Sequence, residues 1–329
     1  MDVYDILIIG GGPTGLFATF YAGLRGLKTK VVDVLQDLGG QLTALYPEKY
    51  VYDVAGHPKI LAKDLAKNLA VQASLFKPAI CLGEKVTGFE RIDDTTLKIT
   101  TDKGSEHFAK SILLALGAGA CVPKQLDIDY NKGFEDDSIF YAVKNKEKFR
   151  DKNVLIIGGG DSAVDWANEF SQLAKHVYLI HRRDQFRAVQ TSVEEMQRNG
   201  VDLRTFHELK QILGKDHVDG AIIFDNRTGK EETIPCDAIL INIGFVINLD
   251  FLKSWGLQME GNAIAVNEKM ETNLPGVYAA GDIAVHPAKL KLIATGAAEA
   301  ATAVNFAVTY INPTAKAFPG HSSNLNLSI

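Results

Sequence analysis

Asp5-Ile6-Leu7-Ile8-Ile9-Gly10-Gly11-Gly12-Pro13-Thr14-Gly15 is an apolar run that ends in a glycine-rich turn. A variant of it recurs as Asn153-Val154-Leu155-Ile156-Ile157-Gly158-Gly159-Gly160-Asp161-Ser162-Ala163. Each reads as a strand, a GxGxx(G/A) turn and the start of a helix, the context a dinucleotide-binding turn requires. In such a turn the first glycine allows the tight bend and the second lets backbone approach a pyrophosphate. The third position lets helix pack on strand, and the phosphate rests on the helix N-terminus. Gly10, Gly12, Thr14 and Gly15 are thereby candidates at the first site, and Gly158, Gly160, Asp161 and Ser162 at the second. Two such sites in one chain imply two dinucleotides and electron transfer between them.

The strand that follows each turn separates the two ligands. Lys30-Val31-Val32-Asp33 places a carboxylate 23 residues after Gly10. An acidic residue there accepts hydrogen bonds from ribose hydroxyls, so the first site suits FAD or NAD. The same offset from Gly158 falls on His181, followed by Arg182 and Arg183, with Arg187 four residues later. A 2′-phosphate is repelled by a carboxylate and held by guanidinium forks. The second site therefore reads as NADPH rather than NADH.

The bulk numbers bound the rest. The 329 residues fit two domains, and 46% hydrophobic with 23% charged residues is an ordinary globular balance. A net charge of −5 disfavours a general nucleic-acid role. Asp2 and Asp5 stand where a secretory signal needs basic residues, so the expected location is the cytoplasm. Residues 292–311 are apolar but Ala-rich, and they hold Glu299 and Asn305; they read as a buried helix, not a membrane span. Cys81, Cys121 and Cys236 are sparse, odd in number and form no CxxC pair. That argues against a disulfide framework and a zinc site, and they read as small buried hydrophobes.

Along the chain, a loop is expected at 38–58 and a helix at 60–74, followed by strands near 80–82, 85–89, 96–100 and 111–116. After the second glycine turn, strands are expected near 221–224, 238–241 and 276–282. Gly117-Ala118-Gly119 and Asn242-Ile243-Gly244-Phe245 are candidate crossovers between domains. The expected fold is α/β: two Rossmann-like three-layer nucleotide-binding domains, the NADPH domain (118–244) inserted into a discontinuous FAD domain (1–117 and 245–329).

These segments carry a family resemblance. Gly39-Gly40-Gln41-Leu42, Tyr46-Pro47-Glu48-Lys49-Tyr50, Gly158 through Trp166, His181-Arg182-Arg183 with Phe186-Arg187, Ala280-Gly281-Asp282 and Pro319-Gly320-His321-Ser322-Ser323 all match. The chain resembles the thioredoxin-reductase-like flavoproteins over nearly its whole length. Among them it is most similar to the ferredoxin(flavodoxin)–NADP⁺ reductases that lack a redox disulfide. Thioredoxin reductases carry a CxxC pair just before the second glycine turn. Here that stretch is Ser138-Ile139-Phe140-Tyr141-Ala142-Val143-Lys144-Asn145-Lys146, without cysteine.

The resemblance implies roles for single residues. Asp282 corresponds to the residue that hydrogen-bonds the flavin ribityl chain, Gln41 to a flavin-contacting glutamine and Asp33 to the ribose ligand. Tyr46 matches the aromatic that stacks on one flavin face. His321 matches a C-terminal residue that covers the other face, in the family across a homodimer, with Ser323 as a nearby hydrogen-bond partner. Val86 and Cys121 fall where relatives line the FAD site. Arg182, Arg183 and Arg187, beside His181, would hold the NADPH 2′-phosphate. The implied reaction is hydride transfer from NADPH to FAD and then single-electron transfer to ferredoxin or flavodoxin, with no general acid or base. The competing readings are an NADPH oxidase or quinone/dye reductase with the same cofactors, and a non-enzymatic flavin sensor. The densest basic stretch, Lys144 to Lys152, is a candidate docking patch or a solvated loop.

Overall fold

Val3–Ile9 is a strand whose Ile6, Leu7 and Ile8 are fully buried, and the helix Pro13–Leu24 follows directly on the glycine turn. Proline at the helix start has its φ preset and lacks only an N–H that would have no intrahelical partner. The computed structural model describes residues 2–119, 122–246, 249–317 and 320–321. Cys121 and Ser323 lie outside the described residues. The chain divides into two units, Met1–Cys121 with Ile247–Ile329, and Val122–Val246.

In the first unit a parallel sheet runs in the order Ala79–Leu82, Thr29–Asp33, Val3–Ile9, Glu106–Leu114, Val277–Ala279. The long strand Glu106–Leu114 serves two partners. Its first half pairs antiparallel with Leu97–Thr101, and its second half pairs parallel with Val277–Ala279. Side chains alternate between two cores. Leu7, Ile9, Ile112, Leu114 and Val277 enter one; Ile6, Ile8, Leu113 and Tyr278 enter the other. The helix Ile293–Ile311 covers the second face with Ala300, Ala303, Val304 and Ala307, a helical spacing. Burial on both faces explains why the strands read as unbroken apolar runs rather than alternating ones.

The second unit repeats the plan. Asn153–Ile157 lies between His176–His181 and Ala238–Ile241, with Asp202–Thr205 and Ile139–Phe140 at the edges, all parallel. Val154 and Ile156 pack on Ala163, Val164, Ala167 and Phe170 of the helix Asp161–Phe170. Leu155 and Ile157 pack on Ala221, Ile223 and Ile234 of an antiparallel sheet, His207–Leu213, Gly220–Asp225 and Glu231–Ile234. Cys236 is buried in that core, and burial pushes its thiol up to about 12. Both units are Rossmann-type. In each, the strand order reverses beside the first strand, and ligands of such sheets bind outside the strand C-termini at that point.

Two local expectations change. The 38–58 segment holds a helical turn, Gln41–Ala44, and a strand Tyr50–Val51 that pairs with Ile60–Leu61, so the next helix begins at Ala62. Among the described residues no helix is long and apolar enough to cross a membrane.

Candidate functional site

The first site is built around the turn after Val3–Ile9. Gly10 has φ +111°, and a Cβ there would overlap the Ala115 carbonyl oxygen. A Cβ on Gly15 would overlap the Gly10 carbonyl oxygen, so the helix sits directly on the turn. Gly12 differs: its nearest neighbour would be Gly40 Cα at 3.8 Å. The Gly39 N–H donates to Gly11 O at 2.8 Å, which lays the Gly39-Gly40-Gln41 segment against the turn. A Cβ on Gly117 would lie 3.6 Å from Gln41 Nε2, while Thr14 packs where side chains on Gly281 or Gly296 would go. Gly117, Ala118, Asp282, Lys289 and Lys291 share one cleft. Residues from four distant stretches thus meet at one end of the sheet.

Asp33 ends its strand at 7% exposure. Its Oδ2 accepts the Gly11 N–H and its Oδ1 accepts the Leu35 N–H at 2.7 Å. Burial pushes its carboxyl above the ordinary range, against the pull of the Leu35, Gly11 and Val34 N–H groups. The carboxylate therefore fixes the glycine turn from behind, and its remaining lone pairs can meet a ribose hydroxyl. Tyr46 packs on the small cluster of Leu42, Ala62, Leu65 and Ala66. Val86 is buried within the apolar core, just beyond Glu84, whose N–H donates to Asp33 O at 3.0 Å. His321 is exposed.

The second site has the same plan with different chemistry. A Cβ on Gly158 would overlap Asn242 O, and one on Gly159 would overlap the His181 ring. One on Gly160 would meet nothing within 4 Å, so the space a phosphate needs lies open at the N-terminus of Asp161–Phe170. Ser162 is half-buried on the first turn of that helix. His181 forms the floor of the turn: its Nε2 lies 3.1 Å from Gln185 O, and its ring lies 5.0 Å from that of Phe186. Burial, then the three nearby arginines, holds its imidazole below the usual value, so it is neutral at pH 7. The Arg187 N–H donates to Gly159 O at 2.8 Å, and Asp161 Oδ1 accepts the Val189 N–H at 3.2 Å. The basic loop is thereby tied to the turn. Arg182, Arg183 and Arg187 are exposed, and none has an ion-pair partner among the described residues.

Two other clusters already have partners within the chain. In the stretch from Lys144 to Lys152, Lys144 faces Asp136 at 3.9 Å, Lys146 pairs with Glu169 at 2.5 Å and Arg150 with Glu147 at 2.7 Å. Three of the five basic side chains of that stretch thus face a carboxylate. Cys81, Glu84 and His107 bring potential ligand atoms within 4.8 Å of one another. The Glu84 carboxylate, however, already accepts from Thr101 at 3.1 Å and meets His107 Nε2 at 3.1 Å. Sequence reasoning missed Lys289 and His286 beside the Gly281-Asp282 turn. It flagged Glu299 only as a break in an apolar helix. A lone carboxylate on a buried helical face was the available signal.

Two Rossmann-type units, one with a carboxylate at its strand end and the other with free guanidinium groups, define a class: flavoprotein oxidoreductases that use a pyridine nucleotide. The profile of the pyridine nucleotide-disulphide oxidoreductase family matches residues 4–306. Ferredoxin–NADP reductase 2 of Shouchella clausii is 49% identical over 325 residues, covering 98% of each chain. Ferredoxin–NADP reductase 2 of Sulfolobus acidocaldarius is 51% identical over 328 residues, covering 99% of this chain and 98% of that one. The crystal structure of T. acidophilum thioredoxin reductase matches with a TM-score of 0.76 at 25% identity, over 96% of this chain and 100% of that one. The chain belongs to the ferredoxin–NADP reductases within the pyridine nucleotide-disulphide oxidoreductase family. It is an NADPH-dependent flavoprotein oxidoreductase, with FAD and NADPH as its cofactors.

Proposed function

We propose that this enzyme moves electrons between NADPH and ferredoxin, with flavodoxin as a second carrier. The observation that carries this reading is the opposite charge at equivalent strand ends, Asp33 in one unit against Arg182, Arg183 and Arg187 in the other. FAD belongs to the discontinuous unit and NADPH to the inserted one. Bound FAD supplies the redox chemistry, taking two electrons from a nicotinamide and releasing them singly.

The chain's own residues bind and orient. The backbone at Gly10, Gly12 and Gly15 and the hydroxyl of Thr14 border the FAD pyrophosphate; Asp33 meets the ribose, and Gln41 and Asp282 hold the flavin end. Tyr46 and His321 cover its two faces and control access, and Val86 contributes to the wall; Cys121 and Ser323 are further FAD-site candidates. His321 and Ser323 act in a homodimer, each subunit completing the site of the other. Gly158, Gly160, Asp161 and Ser162 seat the NADPH pyrophosphate, and the three arginines hold its 2′-phosphate above the neutral His181. No side chain is assigned as a general acid or base. No CxxC pair precedes the second turn, so electrons have no internal disulfide to pass through and leave directly to an external carrier.

The test is NADPH-driven reduction of ferredoxin and flavodoxin by the purified protein, with thioredoxin and oxygen as parallel acceptors and NADH as control. Fast NADPH-selective reduction of ferredoxin, with thioredoxin inert, is expected. Flavin bleaching with only oxygen or quinones accepting electrons would replace this function with that of an oxidase or quinone reductase.

A further inference from the structure

Glu299 is the one carboxylate among the buried positions of Ile293–Ile311, a stripe otherwise of glycine, alanine and valine. Its two oxygens are fully engaged. Oε2 accepts the Gly281 N–H at 2.8 Å and Lys289 Nζ at 2.7 Å; Oε1 accepts Lys289 Nζ at 2.8 Å and lies 3.1 Å from His286 Nε2. Lys289 Nζ donates in turn to the Gly281 carbonyl at 2.7 Å. Both side chains are nearly closed to solvent, at 7% and 9%.

The pair therefore grips Gly281 by both of its backbone polar groups. The carbonyl it holds belongs to the peptide that joins Gly281 to Asp282. Gly281 has φ +77°, and Thr14 fills the space where its side chain would be, so the turn is already confined from the glycine-rich side. Asp282 and Lys289 line the same cleft.

Stability alone does not account for this arrangement. Taking two charges out of water costs several kcal/mol per ion, and replacing a buried pair with apolar groups of similar volume is often neutral or stabilising. The same helix buries alanine and valine one turn away without difficulty. What an apolar pair cannot supply is an acceptor for the Gly281 N–H and a donor to the Gly281 carbonyl, one on each side of the same residue.

We propose that Lys289 and Glu299 are positioning residues for the flavin site, which fix the Gly281–Asp282 peptide so that Asp282 is presented to the cofactor. This rests on the reading of Asp282 as a flavin ligand.

The experiment compares Lys289→Met/Glu299→Leu with the parent and with Asp282→Ala. It measures FAD dissociation by equilibrium fluorescence, the flavin visible spectrum and midpoint potential, and the Tm of the apoprotein. The double variant should keep an apoprotein Tm within a few degrees of the parent. Its Kd for FAD should rise at least tenfold, with a shifted flavin spectrum and potential. A merely structural pair would show the reverse, a changed Tm with parental FAD affinity, spectrum and potential, and that result overturns the proposal. If Asp282→Ala itself leaves FAD affinity and spectrum unchanged, it is the flavin reading of the turn that fails. Should the double variant not fold, Glu299→Gln retains the shape and an acceptor but not the charge that holds Lys289. A severalfold weaker FAD affinity is expected there, and an unchanged one counts against the pair.

Discussion

Arg182, Arg183 and Arg187 keep their positive charge unneutralised, and the adjacent His181 adds none because its imidazole, half-buried against Gly159, is held below the usual value. A guanidinium–phosphate bond is charge-assisted and stronger than a neutral one. Replacing Arg183 and Arg187 with alanine should raise the KM for NADPH by about tenfold per lost contact, each decade being about 1.4 kcal/mol. The KM for NADH should stay within about twofold. Steady-state kinetics with both nucleotides checks this, and an equal loss for the two would remove the 2′-phosphate role. The motif offset alone pointed to these arginines, because a carboxylate was missing where the first turn has one. The offset could not show that His181 faces inward. That follows from the contact between its ring and Gly159, which depends on backbone geometry rather than on spacing. Lys289 and Glu299 were opaque for a related reason: only the fold brings them into contact with each other and with Gly281.

Among the elements, the strand Glu106–Leu114 joins a parallel sheet to an antiparallel arm, and it carries a buried histidine in its antiparallel half. Burial holds the His107 imidazole below its ordinary value even though Glu84 pulls it up, and the Lys30 charge lowers it further. Burial pushes the Glu84 carboxyl up, but hydrogen bonds from His107, Ser105 and Thr101 outweigh it and hold it below its usual range. Both signs point the same way. Below about pH 6.5 the unfolded chain takes up a proton at residue 107 that the folded chain refuses, so stability falls by up to about 1.4 kcal/mol per pH unit. The Glu84 contribution goes at lower pH, as its carboxylate protonates in the fold. Urea unfolding between pH 8 and 5 should show this decline, and His107→Gln should flatten its upper part. An unchanged slope in the variant would assign the acid sensitivity elsewhere. The strand itself was legible only in part. Residues 111–116 read as a buried apolar run, whereas the observed strand starts at Glu106, where one partner is antiparallel and the side chains alternate. The two faces of the first half are unlike, and a continuous-run criterion passes over it.

At the scale of the molecule, the duplicated glycine turn made the two-unit α/β plan readable, since each strand–turn–helix names its own sheet. Val122–Val246 has apolar side chains packed on both faces of its sheet, and its ends lie side by side as an antiparallel pair, Val122–Pro123 against Phe245–Val246. The segment 122–246 expressed alone should therefore unfold in one cooperative transition and bind 2′,5′-ADP. Calorimetry and nucleotide titration check both, and a molten segment without affinity would show that the outer chain is needed to shape it. The paired ends also bear on the order of assembly. Closing a loop of roughly 125 unfolded residues costs about 4 kcal/mol in chain entropy by (3/2)RT ln n. The strands Glu106–Leu114 and Val277–Ala279, which flank the insertion and pair with each other, meet that cost in full while the insertion is a coil. Once it has folded, its own terminal ribbon has already joined Val122 to Val246, so the outer strands close over only residues 115–121 and 247–276 rather than over the whole insertion.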